Sequence, residues 1–222
     1  MTLQPAGYVP RIADAELAHL LSLVGAVEIQ GPKWCGKTWL GRSQANSEVL
    51  IQDPTGNYRI RQLAQLEPLR ILEGATPRLI DEWADVPGLW DAVRIQVDQQ
   101  HTPGQFILTA SSVPKDTATA HTGTGRIARM VLWPMSLAET GISTGEVSLK
   151  NLMDGNLPTG VMGSLDLQGL LSAILRGGWP DSVGKPDQEA TELPSIYLDG
   201  LVHSDVSRID GVLRDPVRME AL

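Results

Sequence analysis

The sequence predicts an α/β fold, a three-layer sandwich around a parallel five-stranded sheet, followed by a small, mainly helical C-terminal region. Three observations carry this. Residues 31–38 read Gly-Pro-Lys-Trp-Cys-Gly-Lys-Thr and match the phosphate-binding loop pattern G-x-x-x-x-G-K-[ST] at every fixed position. An apolar run, Arg78-Leu79-Ile80, ends in the adjacent carboxylates Asp81 and Glu82. Strand-like and helix-like patterns alternate between and beyond these segments, as parallel strands joined by crossover helices require.

In chain order, the spacing predicts a first helix over 14–24, with Asp14 at its cap and periodic leucines facing the sheet. A strand follows at Ala26-Val27-Glu28-Ile29, then the loop, then a helix continuing through Trp39 and Leu40 to Ala45. Further strands are expected at 48–52, 78–82, 105–109 and 130–133, with helices over 58–66 and 89–99 between them. One strand thus lies between the loop and the Asp81-Glu82 segment. That insertion, with a glutamate after the aspartate, is the arrangement of the ATPase branch of P-loop proteins. The core is expected to occupy residues 1–145. Residues 140–164 are rich in Gly, Ser, Thr and Asn and read as a long connection. Residues 146–222 are expected to form a mainly helical lid and the start of a C-terminal domain, with amphipathic helices over 165–175 and 195–206. The Asp215-Pro216 start signal near the end reads either as a last helix of one or two exposed turns or as the opening of a helix in the front portion of a longer protein.

The motifs assign roles by chemistry. Gly31 and Gly36 let the backbone curl around a phosphate, and the amides of Lys33, Trp34, Cys35 and Gly36 can form an anion-binding nest. Pro32 lacks an N–H and stiffens the loop entry. Lys37 would reach the β- and γ-phosphates of ATP and the Thr38 hydroxyl would ligate Mg²⁺, so the candidate nucleotide-binding stretch runs from Gly31 through Trp39. Asp81 can hold the Mg²⁺ shell, and Glu82 can accept a proton from a water attacking the γ-phosphate. Cys35 has two readings: a thiolate activated at the helix N-terminus, or a small buried hydrophobe. Trp34, Trp39, Trp83 and Trp90 read as core and edge packing ahead of base stacking, and His121 and His203 as surface residues.

Composition narrows the rest. The 222 residues are 42% hydrophobic and carry a formal charge of -8, and no basic run offers a generic grip on nucleic acid. No apolar stretch approaches the ~20 residues of a membrane-spanning helix. With one cysteine and no signal-peptide pattern, the expected location is the cytoplasm.

Several runs together resemble prokaryotic AAA-like ATPases that carry an uncharacterised domain after the ATPase core. They are Tyr8-Val9-Pro10-Arg11, the loop, Leu79 to Trp83, Leu89-Trp90-Asp91-Ala92-Val93-Arg94, Phe106 to Ser112, His121 to Arg126, Trp133-Pro134-Met135-Ser136-Leu137 and Arg176-Gly177-Gly178-Trp179-Pro180. The resemblance implies Mg-dependent ATP binding and hydrolysis. It places Lys37 and Thr38 on the phosphates and Mg²⁺, Asp81 and Glu82 in the second motif, and Ser111 as the polar sensor after the fourth strand. For Arg126 it leaves three readings: a cation acting in cis, a finger into a neighbouring copy in a homo-oligomer, or an ordinary solvent-facing charge. An unknown protein partner is expected, with a nucleotide-gated interaction module or a small-molecule phosphotransferase as alternatives. Tyr8 to Arg11 reads either as an adenine contact or as an arm docked on the sheet.

Overall fold

The computed structural model describes residues 3–111, 122–156 and 165–205. The chain divides into two compact units between Trp133 and Pro134, ahead of the boundary at 145 read from composition.

The first unit runs α1 (Ala13–Leu23), β1 (Ala26–Gln30), α2 (Lys37–Gln44), β2 (Ser47–Leu50), α3 (Thr55–Leu66), α4 (Pro68–Ile71), β3 (Arg78–Asp81), α5 (Gly88–Gln100), β4 (Phe106–Thr109) and β5 (Ile127–Val131). A 3₁₀ turn, Trp83–Asp85, follows β3. The sheet has five parallel strands in the order β2-β3-β4-β1-β5, so the fold class holds.

Alternation along each strand builds two apolar layers. Val27, Ile29, Leu79 and Ile107 take one side, with α1 and α2, whose Leu17, Leu21 and Leu40 are buried. Ala26, Ile80, Phe106 and Leu108 take the other, in a core with Ala64 of α3, Ile71 of α4 and Trp90, Val93 and Val97 of α5.

Several expected boundaries shift. β5 is Ile127–Val131 rather than 130–133. It pairs with β1 from Ala26↔Ile127 to Gln30↔Val131, and once Gly31 turns away beyond Gln30 no partner remains to extend the ladder. Asp14 lies inside α1, not at its cap; its carboxylate accepts from the Arg11 backbone N–H at 2.6 Å and from the Tyr8 hydroxyl at 2.9 Å. In α3, Gly56, Asn57 and Tyr58 are left-handed, so regular helix begins after Tyr58.

The second unit contains α6 (Leu149–Met153), α7 (Leu167–Arg176) and α8 (Asp187–Gly200), which continues into a π turn at Leu201–Asp205. Asp166 caps α7 by accepting from the Gly169 N–H at 2.7 Å. α8 starts well before residue 195 and carries Pro194 inside it. Trp179 stacks on Tyr197 with ring centroids 4.4 Å apart. Ser112, His121 and the helix expected from Asp215 lie outside the described residues.

Gly25 sets how closely α5 approaches the sheet. An added Cβ there would lie 2.3 Å from Val97 Cγ1, and a β-branched helical residue cannot rotate aside. Gly25→Ala is expected to cost about 1–3 kcal/mol in urea denaturation. Combined with Val97→Ala, which opens the space, the cost should fall below the sum of the single changes by about 1 kcal/mol. Additive losses would show that α5 adjusts freely.

Candidate nucleotide-binding and hydrolysis site

The loop forms where β1 ends in the middle of the sheet and α2 begins. Gly31 has φ 150°, and a Cβ on it would stand 2.2 Å from the Leu132 carbonyl oxygen, so no larger residue fits. Trp34 and Gly36 are both left-handed, with φ 64° and 97°. Left-handed residues within such a turn direct successive N–H groups toward one point, as an anion nest requires. Gly36 is also the N-cap residue of α2, whose dipole adds positive potential at the same place.

Lys37, the first residue of α2, is only 6% exposed. Its Nζ donates to the carbonyl oxygens of Gly31 at 3.0 Å and Pro32 at 2.8 Å. Burial holds its ammonium below the usual lysine range, opposed by the negative charges of the Glu82 and Asp81 carboxylates.

Thr38 donates to Asp81 Oδ1 at 2.8 Å, and Thr109 at the end of β4 donates to the same oxygen. Two hydroxyls and a carboxylate are hard oxygen donors that suit Mg²⁺, which is held through few protein ligands and through substrate phosphates. Among the described residues there is no cluster of three or more His, Cys, Asp or Glu, the kind of cage other metals use.

Glu82 leaves the strand in a left-handed conformation, φ 58° and ψ 43°. For a non-glycine residue that costs about 1–2 kcal/mol. Its carboxylate accepts from the Ser111 backbone N–H at 2.8 Å and from the Ser111 hydroxyl. The structure therefore brings together Lys37, Thr38, Asp81, Glu82 and Ser111.

Arg126 stands apart. It precedes β5 at the N-terminal edge of the sheet, where its carbonyl accepts from Ala26, whereas the loop follows the opposite, C-terminal end of β1. Its guanidinium pairs with Asp98 at 2.8 Å. A role in its own site does not fit this position, since five residues of strand, roughly 16 Å, separate the two edges.

Cys35 is fully buried, and burial pushes its thiol up, so the packing reading replaces the reactive thiolate. The tryptophans divide: Trp83 and Trp90 are buried as packing residues, but Trp34 and Trp39 are 55% and 43% exposed beside the loop. There the core reading does not hold.

Two contributors, Thr109 and Glu28, lay outside the sequence assignment of roles, and Arg11 was read only as part of the Tyr8 to Arg11 segment. Thr109 was legible only as the polar end of an apolar strand. Arg11 is buried and donates to the Cys35 carbonyl at 2.9 Å and the Trp133 carbonyl at 2.7 Å, tying the loop to the end of β5. With Tyr8 held on Asp14, the N-terminal segment is a docked arm, and burial drives the Tyr8 hydroxyl well above its ordinary range. Glu28 is 2% exposed in β1, between β4 and the edge strand β5. A charge within a four-residue apolar run was its signal.

A mononucleotide-type loop on a 2-3-4-1-5 parallel sheet, with paired carboxylates at the end of β3 and with β4 lying between, defines a P-loop nucleoside-triphosphatase fold. Residues 25–141, over half the chain, match the family described as AAA domain, and the chain belongs to that family. Uncharacterized proteins of Mycobacterium bovis and Mycobacterium tuberculosis are each 26% identical over 142 residues, covering 61% of this chain and 31% of theirs. The chain thus spans about a third of the length of the curated relatives it matches. The Walker-type ATPase PABY2304 of Pyrococcus abyssi superposes with a TM-score of 0.55 at 12% identity, over 95% of this chain and 78% of that one, a likeness of fold.

Burial raises the Glu28 carboxyl above its usual 4.5, despite the opposing Arg129 charge. A raised folded-state pKa means that its favourable contribution is complete below pH 4.5 and is lost as pH rises through the folded value. Glu28→Gln removes the ionisation. The stability of wild type relative to Glu28→Gln should therefore decline from pH 4.5 upward and then level, by chemical denaturation across pH. A constant difference would refute the burial penalty.

Proposed function

We propose that the chain binds Mg-ATP and hydrolyses it, in the cytoplasm, and that turnover drives a protein partner. The observation that carries this reading is the convergence of Lys37, the Thr38–Asp81 pair and Glu82 at the C-terminal ends of two parallel strands, β1 and β3.

In this mechanism the loop amides and Lys37 hold the β- and γ-phosphates, and Thr38, with Asp81 behind it, would hold Mg²⁺. The metal supplies charge neutralisation across the phosphates. Glu82 takes a proton from water as the water oxygen bonds to the γ-phosphorus; the bond to the bridging oxygen breaks, and ADP leaves with the electron pair. Each carboxylate oxygen has more than one acceptor site, so Ser111 can orient Glu82 while water is bound. A hydrolytic base at this place favours water over a phosphate acceptor.

Trp34 and Trp39, exposed beside the loop, offer a fluorescence reporter of binding. Mg-ATP should change the intrinsic fluorescence of wild type and of Glu82→Gln but not of Lys37→Ala. Phosphate release should need no acceptor and should fall by ~10²-fold or more in Glu82→Gln, the scale of a lost general base. Intact turnover in that variant would remove Glu82 from the mechanism, and phosphate release only with an added acceptor would indicate a phosphotransferase.

Arg126 receives no role in its own site. Specific activity should be independent of protein concentration and unchanged in Arg126→Ala. Activity that rises with concentration in wild type but stays flat in the variant would assign Arg126 to a neighbouring copy in a homo-oligomer.

A further inference from the structure

Glu28 occupies a place that packing alone does not explain. It sits on β1, the interior strand leading into the loop, where an apolar side chain of similar volume would avoid the cost of burying a charge. Its carboxylate instead holds three donors. Oε1 accepts from the Trp83 indole N–H at 3.2 Å; Oε2 accepts from Arg129 Nε at 3.1 Å and from Gln30 Nε2 at 3.0 Å. Trp83 lies against Trp90 with centroids 4.9 Å apart, and the Arg129 guanidinium stands 5.2 Å from the Trp90 ring. Glu28, Trp83, Trp90 and Arg129 therefore form a closed circuit of contacts drawn from β1, the 3₁₀ turn, α5 and β5.

The circuit bears on one residue in particular. Glu82 directly precedes Trp83 and has left the strand in a left-handed conformation, so the sheet ladder no longer fixes it. Two groups flank it: Ser111 on its own carboxylate, and the buried indole of its neighbour. The backbone of the turn is closed by Asp85 N–H to Glu82 O at 3.2 Å and Val86 N–H to Trp83 O at 2.9 Å. An indole free to rotate would let that turn relax, because neither bond fixes the direction of the Glu82 side chain.

We propose that Glu28 and Trp83 are positioning residues for hydrolysis: the Glu28 carboxylate pins the Trp83 indole, and the pinned indole holds the Glu82 turn in register with the phosphate loop. The proposal rests on Glu82 being the base. β1 serves both ends of the reaction, ending in the loop that grips phosphate and carrying, three residues earlier, the carboxylate that sets the base. Loss of the pin should leave the loop intact and misplace Glu82, and a displacement on the order of 1 Å can cost up to ~10²-fold in rate.

The test uses the full chain and Trp83→Phe, which keeps an aromatic face toward Trp90 and replaces the indole by a smaller ring with no N–H donor. Steady-state kinetics with Mg-ATP and titration with a fluorescent ATP analogue give kcat and nucleotide affinity separately. A fall in kcat of about 10-fold or more with affinity within about 2-fold of wild type is expected. In a Glu82→Gln background Trp83→Phe should cause no further loss, because both changes act on one base. A kcat within about 2-fold of wild type, or equal losses of affinity and kcat, would overturn the proposal. If Trp83→Phe does not fold, Glu28→Leu, which fills similar space but has no oxygen to accept the Trp83 N–H, should show the same split, and an unchanged kcat there would overturn it. Full turnover in Glu82→Gln alone would instead sink the base assignment, whereas an inactive Glu82→Gln beside an unimpaired Trp83→Phe would reject only the positioning role.

Discussion

One oxygen atom, Asp81 Oδ1, accepts hydrogen bonds from both Thr38 and Thr109, and the placing of the site depends on it. Thr38 opens α2, Asp81 ends β3 and Thr109 ends β4. The strand order puts β4 between β1 and β3, so the loop strand and the carboxylate strand are two spacings apart, roughly 9–10 Å. That gap is wide enough for a metal ion and a water beside the phosphates. The shared oxygen bridges it and ties loop, metal position and carboxylate strand into one unit before any ligand arrives.

Buried charge follows the same logic. Arg11, Glu28 and Lys37 are each more than nine-tenths buried, and each makes its hydrogen bonds to backbone or side-chain groups whose position matters to the loop. Arg11 takes the Cys35 carbonyl, which the tight loop leaves without a helical partner. Lys37 takes the Gly31 and Pro32 carbonyls at the loop entry. Unpaired, any of these charges would be prohibitively costly in the interior. Paired as they are, they fix the direction of groups that an apolar core would leave free.

The sequence made the binding half of the site legible and left much of the catalytic half obscure. Gly31, Gly36, Lys37 and Thr38 are read from spacing because backbone geometry dictates them: a nest and a helix N-terminus admit few residue types. The parallel five-stranded sheet followed from the alternation of strand and helix patterns. Glu28 and Thr109 escaped assignment, and Arg11 was read only within its segment, because the partners that tie them to the site lie 55 to 101, 28 and 24 to 122 residues away, and single-sequence periodicity carries no record of such pairs. The tryptophans misled for a related reason. Burial of an aromatic depends on which side of the loop it faces, and Trp34, held left-handed by the turn, faces out.

The two carboxylates separate for a reason the pleat does not supply. Strand periodicity alone would send Glu82 to the face opposite Asp81, but the strand ends at Asp81 and the reversal arises from the left-handed step that follows. Asp81 is therefore placed by sheet register, through pairing with Leu50 on one side and Thr109 on the other. Glu82 has no such anchor and is placed by side-chain contacts, with its strained backbone tolerated because its surroundings over-determine it. In the proposed mechanism, substrate grip and metal position thus rest on backbone geometry, which tolerates most side-chain changes nearby. The proposed base rests on a few hydrogen bonds, so conformational control of the proposed turnover would act there, at Ser111 and Trp83, while the loop keeps its hold on nucleotide.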